Sequence, residues 1–169
     1  MSKSKVLIGI LVVIVIAAVI IAYINLSDKK EVKEPVVGQF SLIYKDVEII
    51  PGNSFNNEKV MEKVSESEVV SCAFSGTEKV YTYPEVEITV SEVNGKDVIT
   101  SVYFINEAME TKEGIKVTST KNEMISAYGE NYENTLENLY IYKRGNVSVS
   151  FLVENDVITS IEYTLNTEN

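Results

Sequence analysis

Carboxylates are the only reactive side chains that this 169-residue chain has in quantity. It contains 25 aspartates and glutamates, no histidine and one cysteine, Cys72. Without histidine, the usual general base and the common zinc ligand are missing, and one cysteine cannot build a thiolate metal site. The chain also has no glycine-rich phosphate-binding loop and no EF-hand loop. Chemistry would therefore depend on acids alone, and we expect no cofactor.

Two positioned carboxylates can hydrolyse a glycosidic bond. The candidate pairs are Glu85 with Glu87 and Glu107 with Glu110, all on strands, turns or loops predicted to be exposed. The chain has no tryptophan to form a sugar platform. We therefore predict that the protein is not an enzyme, with a carboxylate-based cell-wall glycan hydrolase as the alternative.

Two further sites were weighed against simple structural roles. Glu130, Glu133 and Glu137 could supply calcium ligands, but acids in such a segment are typical of a solvated loop, and we predict no metal. Cys72 lies in VVSCAFSG without a basic neighbour to stabilise a thiolate, which favours a buried structural thiol.

Tyrosines are the candidate binding residues. Tyr81 with Tyr83 and Tyr140 with Tyr142 are spaced by two, so each pair shares one face of a strand. If that face is covered, the four rings belong to the core. If it is open, they form an aromatic recognition patch.

The first elements to consider lie at the N-terminus. Residues 6–24, VLIGILVVIVIAAVIIAYI, are 19 residues without a charge, which as a helix would cover about 28 Å, close to the bilayer core. A cleaved signal would be shorter and end at a small-residue site, which is absent here. Lys3 and Lys5 precede the span, which predicts a cytoplasmic N-terminus. The expectation is thus a signal anchor and a single-pass protein of the cell membrane, its C-terminal domain extracellular.

Charge restricts the partners. Beyond the predicted span, 25 acids and 13 bases leave a formal charge of −12. Such a field argues against nucleic acid, which is a polyanion, and suits a basic partner, although a solvated surface is the simpler explanation.

A repeat organises the rest of the chain. DVITSVYF begins at Asp97 and DVITSIEY at Asp156, 59 residues later. The same spacing relates Tyr81 to Tyr140 and, without a gap, Ile88 to Val147, which indicates two copies of one unit.

Periodicity predicts the content of each unit. In the second copy, residues 147–154 and 157–165 alternate apolar with polar side chains and form a hairpin, preceded by the Tyr-x-Tyr strand. Thr120 and Glu123 have capping-box spacing ahead of a helix that ends at Gly129. SFNNEKVMEKVSE, with Ser54 as its cap, is the matching helix of the first copy, and FSLIYKDVEII before it is an additional strand.

The phrases SCAFSGTEKVYTY, TKEGI, AYGENY and FLVENDVITSIEY resemble those of uncharacterised envelope proteins, anchored by lipid or helix, from clostridia and related low-GC Gram-positive bacteria. The resemblance covers roughly residues 40–165 and implies no functional residue. More distantly, a tandem helix-plus-sheet unit is similar to the β-lactamase-inhibitor-protein fold and to SmpA/OmlA-like lipoproteins, which are binding proteins.

These observations predict an α+β fold, in which an N-terminal transmembrane helix precedes two tandem repeats that share one core, each a helix plus a three-stranded antiparallel meander. The expected function is a non-catalytic module that binds an envelope protein or wall component, with the glycan hydrolase or a cation or ligand sensor as alternatives. The bilayer would be a further partner, through residues 6–24. The predicted segments are a cytoplasmic N-terminus (1–5), the anchor (6–24), a tether (25–38), repeat 1 (39–106) and repeat 2 (107–166).

Overall fold

Most of the described chain is β-strand. The structure is a computed structural model that describes residues 38–60, 62–71 and 76–166. Its strands are β1 (Leu42–Tyr44), β2 (Val47–Ile49), β3 (Ser65–Val70), β4 (Thr77–Thr82), β5 (Val86–Val93), β6 (Lys96–Phe104), β7 (Glu133–Leu136), β8 (Leu139–Arg144), β9 (Val147–Glu154) and β10 (Val157–Leu165). The first two form a small antiparallel sheet, and the other eight form one antiparallel sheet.

The predicted α+β fold of two helix-plus-meander repeats is therefore wrong. The described residues contain one α-helix, α1 (Lys121–Tyr128), and where the first copy's helix was expected there is one turn of 3-10 helix, Asn57–Lys59. The chain then continues into β3, which pairs with β4 over all six of its residues. Pairing with a neighbouring strand has overridden a weak local helix preference.

The helix of the second copy is confirmed. Thr120 Oγ1 accepts the Glu123 backbone amide at 3.2 Å, and the Glu123 carboxylate accepts the Thr120 amide at 2.7 Å, which completes a capping box. Gly129 ends the helix at a φ of 87°, a left-handed value that suits glycine. Met124 is the residue of α1 that is fully buried against the sheet.

The membrane predictions are contradicted. Within residues 38–60, 62–71 and 76–166, no helix has the length and apolar character needed to cross a bilayer. This finding runs against the predicted transmembrane helix, signal anchor and single-pass location at the cell membrane. The predicted span, residues 6–24, lies outside the described residues, as do residues 1–5 and the tether up to residue 37.

The repeated phrase forms the two central strands of the large sheet. The strand order is β3-β4-β5-β6-β10-β9-β8-β7, so the last strands of the two copies lie side by side. Tyr103 pairs with Glu162, which is 59 positions later and hence its own counterpart, and Val102 pairs with Tyr163. A residue faces its own counterpart only at a two-fold axis. An approximate two-fold axis therefore passes through the middle of the sheet.

The phrase also encodes a local irregularity. Register shifts leave Thr100 as an extra residue in β6 and Thr159 as an extra residue in β10, so both copies bulge at the same threonine. In each case the hydroxyl donates to a carbonyl of the partner strand, that of Thr89 at 3.3 Å and that of Leu152 at 3.4 Å. The bulge turns Ile158 inward, where strict alternation from the sequence had placed Val157 and Thr159.

The other strands of the two copies are not related by the same spacing. Tyr81 pairs with Ile88, whereas Tyr140 pairs with Phe151. The counterpart of Ile88 is therefore Phe151, 63 residues later, and the predicted match of Ile88 to Val147 is wrong. The ungapped alignment holds for the outer and inner strands of each meander but slips by four residues in the strand between them.

One face of the large sheet carries the core. Buried apolar residues from β4 to β10 pack beneath the β1–β2 hairpin, Met124 of α1 and the loop that contains Met109 and Ile115. The segment FSLIYKDVEII is thus a hairpin and not the single strand predicted, because Lys45 and Asp46 adopt positive φ values of 48° and 64° in a tight turn. The opposite face, which we call the open face, carries polar residues that remain partly exposed.

Candidate functional site: a groove on the open face

A shallow groove lies on the open face at the centre of the sheet. It has a volume of about 330 Å³. Strands β4, β5, β6 and β10 supply its lining residues, which are Glu78, Glu87, Thr89, Thr100, Ser101, Tyr103, Glu162 and Thr164. We call this surface the central groove. It contains the approximate two-fold axis, because Tyr103 and Glu162 both line it.

The groove centres on an aromatic ring between two acids. Glu87 pairs with Tyr103 and Tyr103 with Glu162, so the three side chains stand in one row across three strands. Neighbouring strands are roughly 4.8 Å apart, which places each carboxylate beside the ring. Tyr103 is 39% exposed, unlike the buried tyrosines of the core. The ring is therefore available to a ligand that the acids can also reach.

Hydroxyl groups orient two of the carboxylates. Ser101 Oγ donates to Glu162 Oε1 at 2.6 Å, and Ser91 Oγ donates to Glu78 Oε1 at 3.2 Å. Ser91 is in turn held by Thr100, whose hydroxyl lies 2.9 Å away in a buried contact. The bulge at Thr100 thus supports the groove from below. The second oxygen of each carboxylate keeps its capacity to accept from a ligand.

The negative charge of the groove is not neutralised by the protein. The described residues form six ion pairs, and none of them includes Glu78, Glu87 or Glu162. In the same sheet, Glu133 is paired with Lys143 at 2.9 Å. Among the described acids, those of the groove are left to attract a cation from outside.

The acids proposed for hydrolysis are not brought together as pairs. Glu87 lies in the groove, but Glu85 accepts a hydrogen bond from Tyr44, a core residue, at 2.5 Å. Glu107 and Glu110 are exposed in the loop after β6. Whether the protein is an enzyme stays a prediction from sequence.

The acids considered for calcium are dispersed. Glu133 pairs with Lys143, while Glu130 and Glu137 are exposed on either side of β7. No group of three or more histidines, cysteines or acids in the described ranges is placed to hold a metal ion. Cys72 lies outside these ranges.

The four candidate tyrosines lie on the covered face. Their exposed fractions are 9% for Tyr81, 0% for Tyr83, 6% for Tyr140 and 3% for Tyr142. Burial raises the pKa of the Tyr83 and Tyr142 phenols, and Tyr142 donates to the Gly129 carbonyl at 2.8 Å. Of the two alternatives left open by the sequence, the core describes their placement.

The groove residues Tyr103 and Glu162 were missed from sequence. A signal was present, because the two copies of the phrase agree over DVITS and then differ, with tyrosine at 103 and glutamate at 162. Packing requires the same residues twice, whereas a difference at an outward position is free of that requirement.

Comparison of the chain with protein-family models, with curated proteins and with solved structures found no match. The resemblance to Gram-positive envelope proteins stays a prediction, and the site has to be interpreted from its own geometry.

Proposed function

We propose that this protein is a non-catalytic binding module that takes a basic segment of a partner protein on the central groove. The proposal is supported mainly by one observation, the three unpaired carboxylates around an exposed tyrosine ring. A shallow groove on a sheet suits a protein surface better than a small molecule, which usually requires a deeper pocket. The same charge disfavours nucleic acid.

A lysine or arginine side chain fits the chemistry of this row. Its cationic group can lie over the Tyr103 ring while Glu87 or Glu162 accepts its hydrogen bonds. An exposed cation–π contact contributes about 0.5–1 kcal/mol, and each exposed ion pair about 0.2–1 kcal/mol. Several contacts together are therefore needed, which favours a segment with more than one basic residue.

The test measures binding of a hexalysine peptide to the full chain by isothermal titration calorimetry. Loss of two carboxylates in Glu87→Gln/Glu162→Gln should remove about 1–2 kcal/mol, a rise in Kd of about five- to thirty-fold. Glu107→Gln/Glu110→Gln removes the same charge from an exposed loop and should leave Kd within about twofold.

Equal losses in both double variants would contradict the proposal, because the peptide would then respond to net charge and not to the groove. Tyr103→Leu provides an uncharged check. It keeps an apolar side chain but removes the ring, and should weaken binding by about two- to five-fold.

A further inference from the structure

Strand β3 leaves one edge of the large sheet free. It is the terminal strand in the sheet order, and all six of its residues, Ser65–Val70, are exposed. Its register with β4 is unbroken over those six residues. The opposite edge differs, because β7 has four residues and an irregularity between Asn134 and Leu136. Short, bulged edges resist the addition of another strand, whereas a regular edge is a template for it.

The direction of the backbone groups in β3 follows from one hydrogen bond. The Ser71 amide donates to the Gly76 carbonyl at 3.1 Å, in the same register as the β3–β4 pairs. In an antiparallel pair every second residue bonds to the same neighbour. The amides and carbonyls of Glu66, Glu68 and Val70 therefore point away from β4, towards the free edge.

Side chains give this edge a chemical preference. Glu66 and Glu68 are two residues apart and so lie on one face, directly opposite the positions that an added strand would occupy. Glu66 already contacts Lys63 at 2.5 Å, but both side chains are largely exposed, and such an i,i+3 pair is weak enough to be exchanged. An added strand with lysine or arginine at alternate positions would match both acids.

A second copy of the chain is a poor occupant of the same edge. Two β3 strands paired antiparallel about a two-fold axis keep the same face upward, so residues on one face oppose each other. Centring the pair on Glu66, Ser67 or Glu68 then places glutamate opposite glutamate, which is destabilising. The acids discourage self-pairing and at the same time favour a basic strand.

We infer that the free edge of β3 binds an extended segment of a partner protein by strand addition, and that this segment carries basic residues at alternate positions. Backbone hydrogen bonds at Glu66, Glu68 and Val70 supply the affinity, and the two carboxylates supply the preference. This surface is distinct from the central groove, and the inference does not depend on the function proposed for the groove.

The experiment uses the full chain and the labelled peptide acetyl-Thr-Lys-Val-Lys-Val-Thr-amide, followed by fluorescence anisotropy. The lysine residues are those that would bond to β3. Methylation of their backbone nitrogens should weaken binding about tenfold, because two hydrogen bonds are lost, whereas methylation of the valine nitrogens should change it less than about threefold. A peptide with glutamate in place of lysine should also bind about tenfold more weakly.

Variants of the protein locate the site. Glu66→Lys/Glu68→Lys should reverse the preference, so that the glutamate peptide binds more tightly than the lysine peptide. Val70→Pro removes one outward donor without a change in charge and should weaken binding about threefold or more, while Val70→Ala should not. The methylated peptides need no variant, so a misfolded variant leaves the test intact.

Three results would overturn the inference. The first is that the lysine peptide does not bind. The second is that methylation at lysine and at valine has equal effects, which would mean that no strand is added. The third is that binding responds to Glu87→Gln/Glu162→Gln and not to the β3 variants, which would place the peptide in the central groove instead.

Discussion

Replacement of Glu113 by alanine should destabilise the fold far more than its place in a loop indicates. The side chain is 8% exposed and links three parts of the structure. Its carboxylate accepts from Arg144 of β8 at 3.2 Å and from the Tyr128 hydroxyl of α1 at 2.8 Å. The Arg144 guanidinium lies 4.1 Å over the ring of Phe40, which precedes β1. Glu113 is thus the acceptor on which a mostly buried polar cluster depends.

The expected cost follows from that burial. Removing one partner of a buried ion pair costs about 3–5 kcal/mol, because the other charge is left without compensation. Arg144 is 25% exposed and can recover some hydration, so we expect about 2–4 kcal/mol for Glu113→Ala. Glu113→Gln keeps an acceptor for Tyr128 and should cost less.

Urea unfolding at pH 7, followed by circular dichroism, measures this cost. Glu133→Ala is the matched control, because Glu133 pairs with Lys143, the neighbour of Arg144 on β8, but both side chains are about half exposed. Its loss should cost no more than about 0.5 kcal/mol. The reasoning is refuted if the two alanine variants unfold at the same urea concentration.

Three further predictions concern stability. Burial raises the pKa of four tyrosines above the ordinary value of 10, and these are Tyr44, Tyr128, Tyr142 and Tyr163. The unfolded chain loses these protons above pH 10 while the folded chain keeps them, so the free energy of unfolding should be constant at lower pH. Above pH 10 it should fall by up to about 1.4 kcal/mol per pH unit for each residue, and equal urea midpoints at pH 8 and 10.5 would contradict this. Thr120→Ala removes the cap of α1 and should cost about 1 kcal/mol in urea unfolding, whereas Thr120→Ser should cost little, and equal costs would count against the capping box. Thr100→Val strands the buried hydroxyl of Ser91 and should cost about 1–3 kcal/mol, but Thr159→Val at the exposed counterpart should cost less than about 0.5 kcal/mol, so matching losses would show that the two bulges are equivalent.

Local signals in the sequence predicted part of this fold. The Asn94-Gly95 and Asn155-Asp156 turns are confirmed, with φ values of 53°, 75°, 51° and 64°, because few residues tolerate two positive φ angles in succession. The capping box of α1 is confirmed for a similar reason, since both partners lie within four residues of each other. Such features depend on neighbours in the chain and can be recognised without a structure.

Features that depend on distant partners were mispredicted. Residues 65–70 have no buried face, so β3 lacks the apolar alternation that identifies a strand, and only pairing with β4 makes it one. The join between β6 and β10, on which the groove depends, relates residues about 60 positions apart and leaves no periodic trace. Tyr103 and Glu162 therefore became a site only when the two copies were placed side by side.

The central claim is that the groove on the open face binds a basic segment. Amide chemical-shift mapping of the full chain, titrated with hexalysine, tests it most directly. The account predicts that the largest shifts occur at Glu87, Tyr103 and Glu162 and that they disappear in Glu87→Gln/Glu162→Gln. Shifts spread over the exposed acids of the loops, with none concentrated in the groove, would contradict it.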